Sequence, residues 1–334
     1  MTVVVVVGPT ASGKSALAVA VASALGGDVV NADAMQLYRG MLIGTAAPTA
    51  AEQGGVRHHL LGVLDPAQEG SVAAYQSLAR ATVDALLARG TPVVVVGGSG
   101  LYVRALLDDL AFPPTDAGVR AGLEAELAAG GAPALHARLV ASDPAAAAAV
   151  LPTNGRRIVR ALEVQELTGR PFSATQPSLG PARWGALQMG LDPPLPVLDR
   201  RIEARVDRMW AAGLVPEVAR LRAHGLGRTA ARALGYAQVL HQLDGELTAE
   251  QARADTVRAT RRFVRRQRSW WRRDDRVRWL PVPDVLTAYD GDPGPLLRVS
   301  LDAVAAHAIA AHQVAGHQVA ADVHPDAARV TPPI

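Results

Sequence analysis

The sequence runs to 334 residues, enough to bury a large core and, as a soft expectation, to form two domains. It holds no cysteine, which excludes disulfides, thiolate metal sites and a cysteine nucleophile, and its net charge of +3 is too small to identify a partner. No apolar stretch reaches the roughly 20 residues of a membrane span, and the N-terminus lacks the basic segment and apolar length of a signal peptide, so a soluble, cytoplasmic protein with no membrane partner is expected.

The first element is a β-branched strand, Val3–Val7. Gly8, Pro9, Thr10, Ala11, Ser12, Gly13, Lys14 and Ser15 follow and fit G-x-x-x-x-G-K-[S/T], and an apolar helical pattern over Ala16–Leu25 completes the strand–loop–helix context that such a phosphate loop needs. Its backbone N–H groups cradle phosphate oxygens at a helix N-terminus. Lys14 is the single lysine of the chain, beside 33 arginines. An ammonium is a compact point charge that fits inside the cradle, whereas the planar guanidinium fork does not. Composition, as a GC-rich genome would impose it, converted the other lysine positions, and this one resisted.

The next strand reads Asp28–Asp33, which puts Asp33 at the carboxyl end of a strand expected to neighbour the first. Ligands bind along that edge of open α/β sheets, yet an aspartate there also serves as a local cap, and the residue alone leaves both readings open. His58 and His59 can be metal ligands or a loop pair held by hydrogen bonds, and the second is preferred. A strand over Pro92–Val96 ends in Gly97-Gly98-Ser99-Gly100 rather than in the acid that helps hold magnesium in phosphate-loop ATPases. The loop can hold a polyphosphate, but the usual hydrolysis equipment is missing.

A Pro/Ala/Gly-rich helical stretch from Pro113 to about Arg183 interrupts the alternation, and Ala186–Leu191 reads as a returning strand. Arg200, Arg201, Arg205 and Arg208 recur at helical spacings and form either a cationic site or a solvated face. Thr248 and Gln251 make a capping box that opens a long helix. Along it Arg258, Arg261, Arg262, Arg265, Arg268, Arg272 and Arg273 line a basic face near Trp270 and Trp271. This is either an RNA surface, with arginine on phosphates and aromatics under unstacked bases, or a charged amphipathic helix with its tryptophans in the core. The Ala/Val/His run Ala303–His324 carries irregularly spaced histidines and reads as a loosely ordered tail in preference to a metal site.

The segments GPTASGKS, NADAMQLYRGMLIGTAAP, HHLLGVLDP, VVVGGSGLYVRALL, RIVRALEV, RIEARVDRM, RALGYAQ and RRQRSWWRR, in that order over about residues 3–280, resemble the tRNA dimethylallyltransferase family. The resemblance implies an α/β fold. Its parts are a P-loop NTPase-like core with a parallel sheet flanked by helices (residues 1–112 and 185–282), an all-helical insertion domain (113–184) and a partly disordered tail (283–334). It implies transfer of a dimethylallyl group from dimethylallyl diphosphate to the exocyclic amine of the adenosine 3′-adjacent to the anticodon of tRNA, by a monomer using Mg²⁺. In that family the loop holds a diphosphate leaving group, so no hydrolysis acid is needed.

Carried over residue by residue, Lys14 neutralises the diphosphate, Ser15 meets magnesium, Asp33 is the general base, Ser99 (where the family usually has threonine) contacts the diphosphate, and Arg201 clamps it from the far side. The implied contacts with the tRNA anticodon stem-loop are Asp33, Ala34, Met35 and Gln36, then Ser99 and Arg120. Arg156, Arg157, Ile158, Val159 and Arg160 come next, followed by Arg232, Ala233, Leu234, Gly235, Tyr236 and Ala237. The set closes with Arg265, Arg266, Gln267, Arg268, Ser269, Trp270, Trp271 and Arg272. Arg156 stands where the family usually has glutamine. The competing readings are a small-molecule kinase, which would need a γ-phosphate, and a non-catalytic nucleotide-dependent RNA-binding protein, which would keep Lys14 without needing Asp33.

Overall fold

The computed structural model describes residues 2–173, 180–280 and 294–323. In chain order they form β1 (Val3–Val7), α1 (Lys14–Leu25), β2 (Asp28–Asn31), β3 (His58–His59), α2 (Val72–Ala88), β4 (Val93–Gly97) and α3 (Gly100–Leu107). There follow α4 (Ala117–Ser142), α5 (Pro144–Ala149), α6 (Gly155–Thr168), β5 (Leu187–Gly190), α7 (Leu195–Ala211) and α8 (Leu214–His224). The chain continues through α9 (Arg228–Ala231), α10 (Tyr236–Leu243), α11 (Ala249–Trp271), β6 (Val277–Trp279) and α12 (Gly294–Val323). Contacts divide them into one unit of residues 1–107 and 182–334 and a second of residues 108–181.

The first unit is an α/β layer structure on a six-stranded sheet of order β3-β2-β4-β1-β5-β6, with every pairing parallel. Parallel strands covered on both faces have no polar side, which is why β1 and β4 read as unbroken valine. Alternation along the strand then divides the valines: Val3, Val5 and Val7 face a core that includes α2, α3 and Trp271, whereas Val4 and Val6 face one that includes α1 and α12. The expectation that β2 neighbours β1 is corrected. β4 lies between them, with Val5 opposite Val95 and Val30 opposite Val95 on its other side. The α1 crossover from β1 therefore passes over the position that β4 later fills, and the loops after β1, β2 and β4 meet at one carboxyl edge, as at the switch point of an open α/β sheet.

Within the tail expected to be loosely ordered, α12 buries Leu296, Ala303 and Val304 in the core beneath α1, and His307 Nε2 lies 2.7 Å from the Gly185 carbonyl. Residues 281–293 and 324–334 lie outside the described ones, as do the histidine side chains from His312 onward. His58 and His59 are held by hydrogen bonds: His58 Nδ1 is 3.0 Å from the Val56 carbonyl, and His59 Nε2 is 2.8 Å from Asp28. Among the described residues no helix is long and apolar enough to cross a membrane.

The second unit is helical, built on Leu123, Leu135, Leu139, Ile158 and Leu162 of α4 and α6. Glu163 is fully buried in it and is satisfied by Arg120 at 2.7 Å, by Arg160 at 2.9 Å and by the Asp116 backbone N–H at 3.2 Å. These contacts outweigh burial and hold its carboxyl below the usual carboxylate range.

Candidate active site

The phosphate loop turns out of β1 at Gly8, whose φ is 153°. A Cβ there would stand 2.6 Å from the Leu191 carbonyl, so only glycine fits between the loop and the chain beyond β5. Gly13, in the left-handed region, caps α1 and places Lys14 and Ser15 in its first turn. The Lys14 ammonium is half-buried and folds back on the loop, 3.4 Å from the Pro9 carbonyl. Burial, with Arg205 adding to it and Asp33 opposing it, pushes the Lys14 pKa down to about 8.

Asp33 follows β2. The Asn31 side chain clamps its backbone, accepting from Asp33 N–H at 2.9 Å and donating to Asp33 O at 3.1 Å. One carboxylate oxygen accepts the Met35 N–H at 3.0 Å, so the residue does make the local turn that a capping role requires. Asp33 also lines two cavities. The smaller, about 40 Å³, is bounded by Lys14, Ser15, Gln36, Gly97 and Arg205 among others. The larger, about 390 Å³, is walled by Ile202, Val206, Met209, Leu234 and Phe263, with Ser99, Arg232 and Arg266 among its polar residues. Thr10, Asp33, Thr45 and Arg205 line both.

Arg205, which lines both cavities, is a candidate that sequence reasoning failed to single out. It lies one helical turn beyond Arg201, and its Nη2 donates to the Thr45 carbonyl at 3.3 Å. Arg201 instead reaches the loop backbone, Nη1 to the Ala11 carbonyl at 3.5 Å. Spacing put Arg201 and Arg205 on one face but could not say which of them meets the cavity. Gln36 donates to the carbonyls of Thr45 and Ala46, both at 3.2 Å, and so holds the strip that Arg205 touches.

The long basic helix is α11, and its capping box forms as expected: Thr248 accepts the Gln251 N–H and Gln251 reaches back to Thr248 N–H. Its arginines divide into two rows. On the side facing α7, Arg253 meets Asp207, Arg261 meets Glu203, and Arg265 meets Asp199 at 3.5 Å. Further along, Arg268 and Arg272 share Asp192. Asp199, Glu203 and Asp207 stand four residues apart on α7, so an acidic stripe neutralises much of the face read as basic. Arg262, Arg266 and Trp270, also four residues apart, form an exposed row, and the described residues offer neither arginine an ion-pair partner.

Burial divides the implied tRNA contacts. Trp271 is 0% exposed and belongs to the sheet core, whereas Trp270 is 40% exposed. Ile158 and Val159 belong to the core of the helical unit, and Ala233 and Tyr236 to the core beside α8, where Tyr236 donates to Glu217. Ile158, Val159 and Tyr236 keep their side chains within these cores, whereas Ala233 also lines the larger cavity. Arg120 and Arg160 are tied to Glu163, and Gln267 is buried against the phosphate loop. Arg156, Arg157, Arg232, Arg265, Arg266, Ser269, Trp270 and Arg272 remain exposed.

No acid ends β4, and among the described residues no group of three or more His, Cys, Asp or Glu could hold a metal. A cation here would take the exposed Ser15 hydroxyl and otherwise oxygens of a bound polyphosphate and water, a set that suits Mg²⁺. The site therefore offers a cationic cradle, a carboxylate at its rim and an adjoining apolar chamber.

A family model described as IPP transferase matches residues 36–274. A tRNA dimethylallyltransferase of Salinispora arenicola is 63% identical over 281 residues, 84% of this chain and 82% of that protein. The crystal structure of a tRNA isopentenylpyrophosphate transferase from Bacillus halodurans is 36% identical, with a TM-score of 0.68 over 93% of this chain and 99% of the other. A eukaryotic dimethylallyltransferase acting on tRNA shares the fold, with a TM-score of 0.76 over 91% of this chain and 80% of the other, at 22% identity.

Proposed function

The chain belongs to the IPP transferase family, the family of tRNA dimethylallyltransferases, and on that premise we propose that it moves a dimethylallyl group from dimethylallyl diphosphate to the N6 amine of the adenosine 3′-adjacent to the anticodon. The observation that carries this reading is the pair of cavities sharing Thr10, Asp33, Thr45 and Arg205. The small polar one suits a diphosphate, and the larger apolar one suits an isoprenyl chain and a base.

In the reaction the bond from the allylic carbon to the diphosphate oxygen breaks, and its electron pair leaves with the diphosphate. The N6 nitrogen bonds to that carbon and gives up a proton. Lys14 and Arg205 stand where charge grows on the leaving group, and loop N–H groups add fixed dipoles. Arg201 steadies the loop through the Ala11 carbonyl, and the Ser99 hydroxyl lies on the chamber wall. Asp33, at the junction of the two cavities, accepts the N6 proton through the oxygen not engaged by Met35. Mg²⁺, held on the protein by Ser15, would neutralise further charge on the diphosphate.

The target base has to leave its stack to reach the chamber. Arg232, Arg266 and Trp270 surround or adjoin it and supply phosphate contacts and a stacking surface. In the helical unit, Arg156 and Arg157 occupy the first turn of α6. Cations at that positive end of the helix dipole are stabilised by an anion, which supports a phosphate contact there. The protein is read as a cytoplasmic monomer. Incubation with labelled dimethylallyl diphosphate and bulk tRNA tests the function. Label in the tRNA is expected. Its absence, with phosphate released from ATP to a small acceptor instead, overturns the reading in favour of a kinase.

A further inference from the structure

Gln267 sits on α11 between two residues of different fate: Arg266 lines the large cavity, and Arg268 pairs with Asp192. Its own side chain points inward and is nearly fully buried. The amide oxygen accepts the Thr10 N–H at 2.9 Å, and the amide nitrogen donates to the Gly98 carbonyl at 2.9 Å. One side chain thus joins the phosphate loop after β1 to the glycine loop after β4, next to Ser99. A Cβ at Gly98 would stand 2.5 Å from the Gln267 nitrogen, so any side chain there would push the Gln267 amide off the Gly98 carbonyl.

A backbone N–H of a phosphate loop either points into the cradle or is held outside it. That of Thr10 is held by a helix whose exposed row is Arg262, Arg266 and Trp270. Hydrogen bonds in a buried, low-dielectric setting are costly to leave unmade, so movement of α11 carries the Thr10 and Gly98 backbones with it. Resting on the function proposed for the site, we propose that Gln267 is a positioning residue that couples RNA seated on α11 to the phosphate loop, so that RNA binding tightens diphosphate binding and diphosphate tightens RNA binding by the same factor.

The test measures inorganic diphosphate affinity of the full chain with and without saturating anticodon stem-loop RNA. In the wild type the RNA is expected to tighten diphosphate binding at least about fivefold, the lower end of usual coupling. Gln267→Met keeps the length and removes both hydrogen bonds. It should bring the ratio to about one while stem-loop affinity stays within about twofold. Thr248→Ala, which loosens the far end of the same helix, should keep the wild-type ratio, so helix instability alone does not explain a loss. If Gln267→Met does not fold, Gln267→Glu, which keeps the acceptor for Thr10 and loses the donor to Gly98, should at least halve the ratio. A wild-type ratio of one, or an unchanged ratio in the folded variant, overturns the coupling. Failure of the wild type to bind diphosphate or stem-loop RNA at all overturns the functional reading instead.

Discussion

Lys14 and Arg205 line the same cavity of about 40 Å³, two cations with the single carboxylate of Asp33. An anion entering that space meets positive charge already stripped of part of its water. Burial has lowered the Lys14 pKa to about 8, far below the usual lysine value. In the free enzyme the ammonium is half discharged at that pH, is almost fully charged a unit below it, and loses its charge as pH rises through it. Affinity for dimethylallyl diphosphate is therefore expected to be flat from about pH 6.5 to 7.5 and to fall progressively above about 8. Titration of the ligand at fixed ionic strength from about pH 6.5 to 10 measures this, and an affinity that holds to the top of that range contradicts it.

Arg205 and Arg201 divide the work expected of one residue. Arg205→Gln removes a cation from the cavity wall and should lower turnover by roughly 10²–10³-fold, the scale for losing one charge-stabilising donor. Arg201→Gln loosens a long contact to the Ala11 carbonyl and should cost about tenfold or less. Single-turnover transfer rates rank the two, and the reverse order would return the clamp to Arg201.

Asp33→Asn keeps the turn, because asparagine accepts the Met35 N–H as well as aspartate does. It removes the proton acceptor, so turnover should fall ~10²–10⁴-fold with both substrates still bound. If the loss reflected a metal contact instead, raised magnesium would restore part of it, so the rate is measured at two magnesium concentrations with saturating tRNA.

The two rows of α11 should separate in their salt dependence. Alanine at Arg262 and Arg266 is expected to weaken tRNA binding and to flatten the slope of log affinity against log salt. The change should reach up to about 0.9 for each phosphate left without its arginine in a duplex region and about 0.7 in a single strand. Alanine at Arg261 and Arg265 leaves the exposed Glu203 and the partly buried Asp199 of α7 without their arginines. It should alter the slope less. Equal slopes for the two double variants would show that the α7 acids do not shield their row.

The neighbouring tryptophans make the sharpest contrast. Trp271→Ala empties a fully buried site under the sheet and should cost about 3–5 kcal/mol, read as a large fall in Tm. Trp270→Ala gives up packing against Gly100 and should lower Tm less than Trp271→Ala does, while weakening tRNA binding by about 1–3 kcal/mol if a base stacks there. A Trp270 variant with wild-type tRNA affinity removes that residue from the interface.

The parts of the site that were legible in the sequence are those made by neighbours in the chain. The phosphate loop declared itself because strand, glycines, lysine and helix follow one another without a gap under one motif. Asp33 could be put on the right edge because it closes a strand. What escaped depended on partners far along the chain. The insertion of β4 between β1 and β2 is a matter of strand order, which local pattern does not carry. Arg253, Arg261, Arg265, Arg268 and Arg272 read as one basic face because the acids that meet them, Asp192 to Asp207, lie outside that helix. The tie from Gln267 to Thr10 crosses 257 positions, and Gln267 itself resembles any polar residue in a charged helix.

Translation meets these facts in a particular order. The phosphate loop leaves the ribosome first, yet its wall at Leu191 and its brace at Gln267 are synthesised only after the whole helical unit. β1 also waits for β5, with Val4 registered against Leu187. Until those segments emerge, a run of five valines stands with a naked strand edge, the kind of surface that pairs with other nascent chains. The cell must carry this protein through more than half of its synthesis with that valine edge unsheltered, and the Thr10 N–H of the glycine loop stays unbraced until α11 docks.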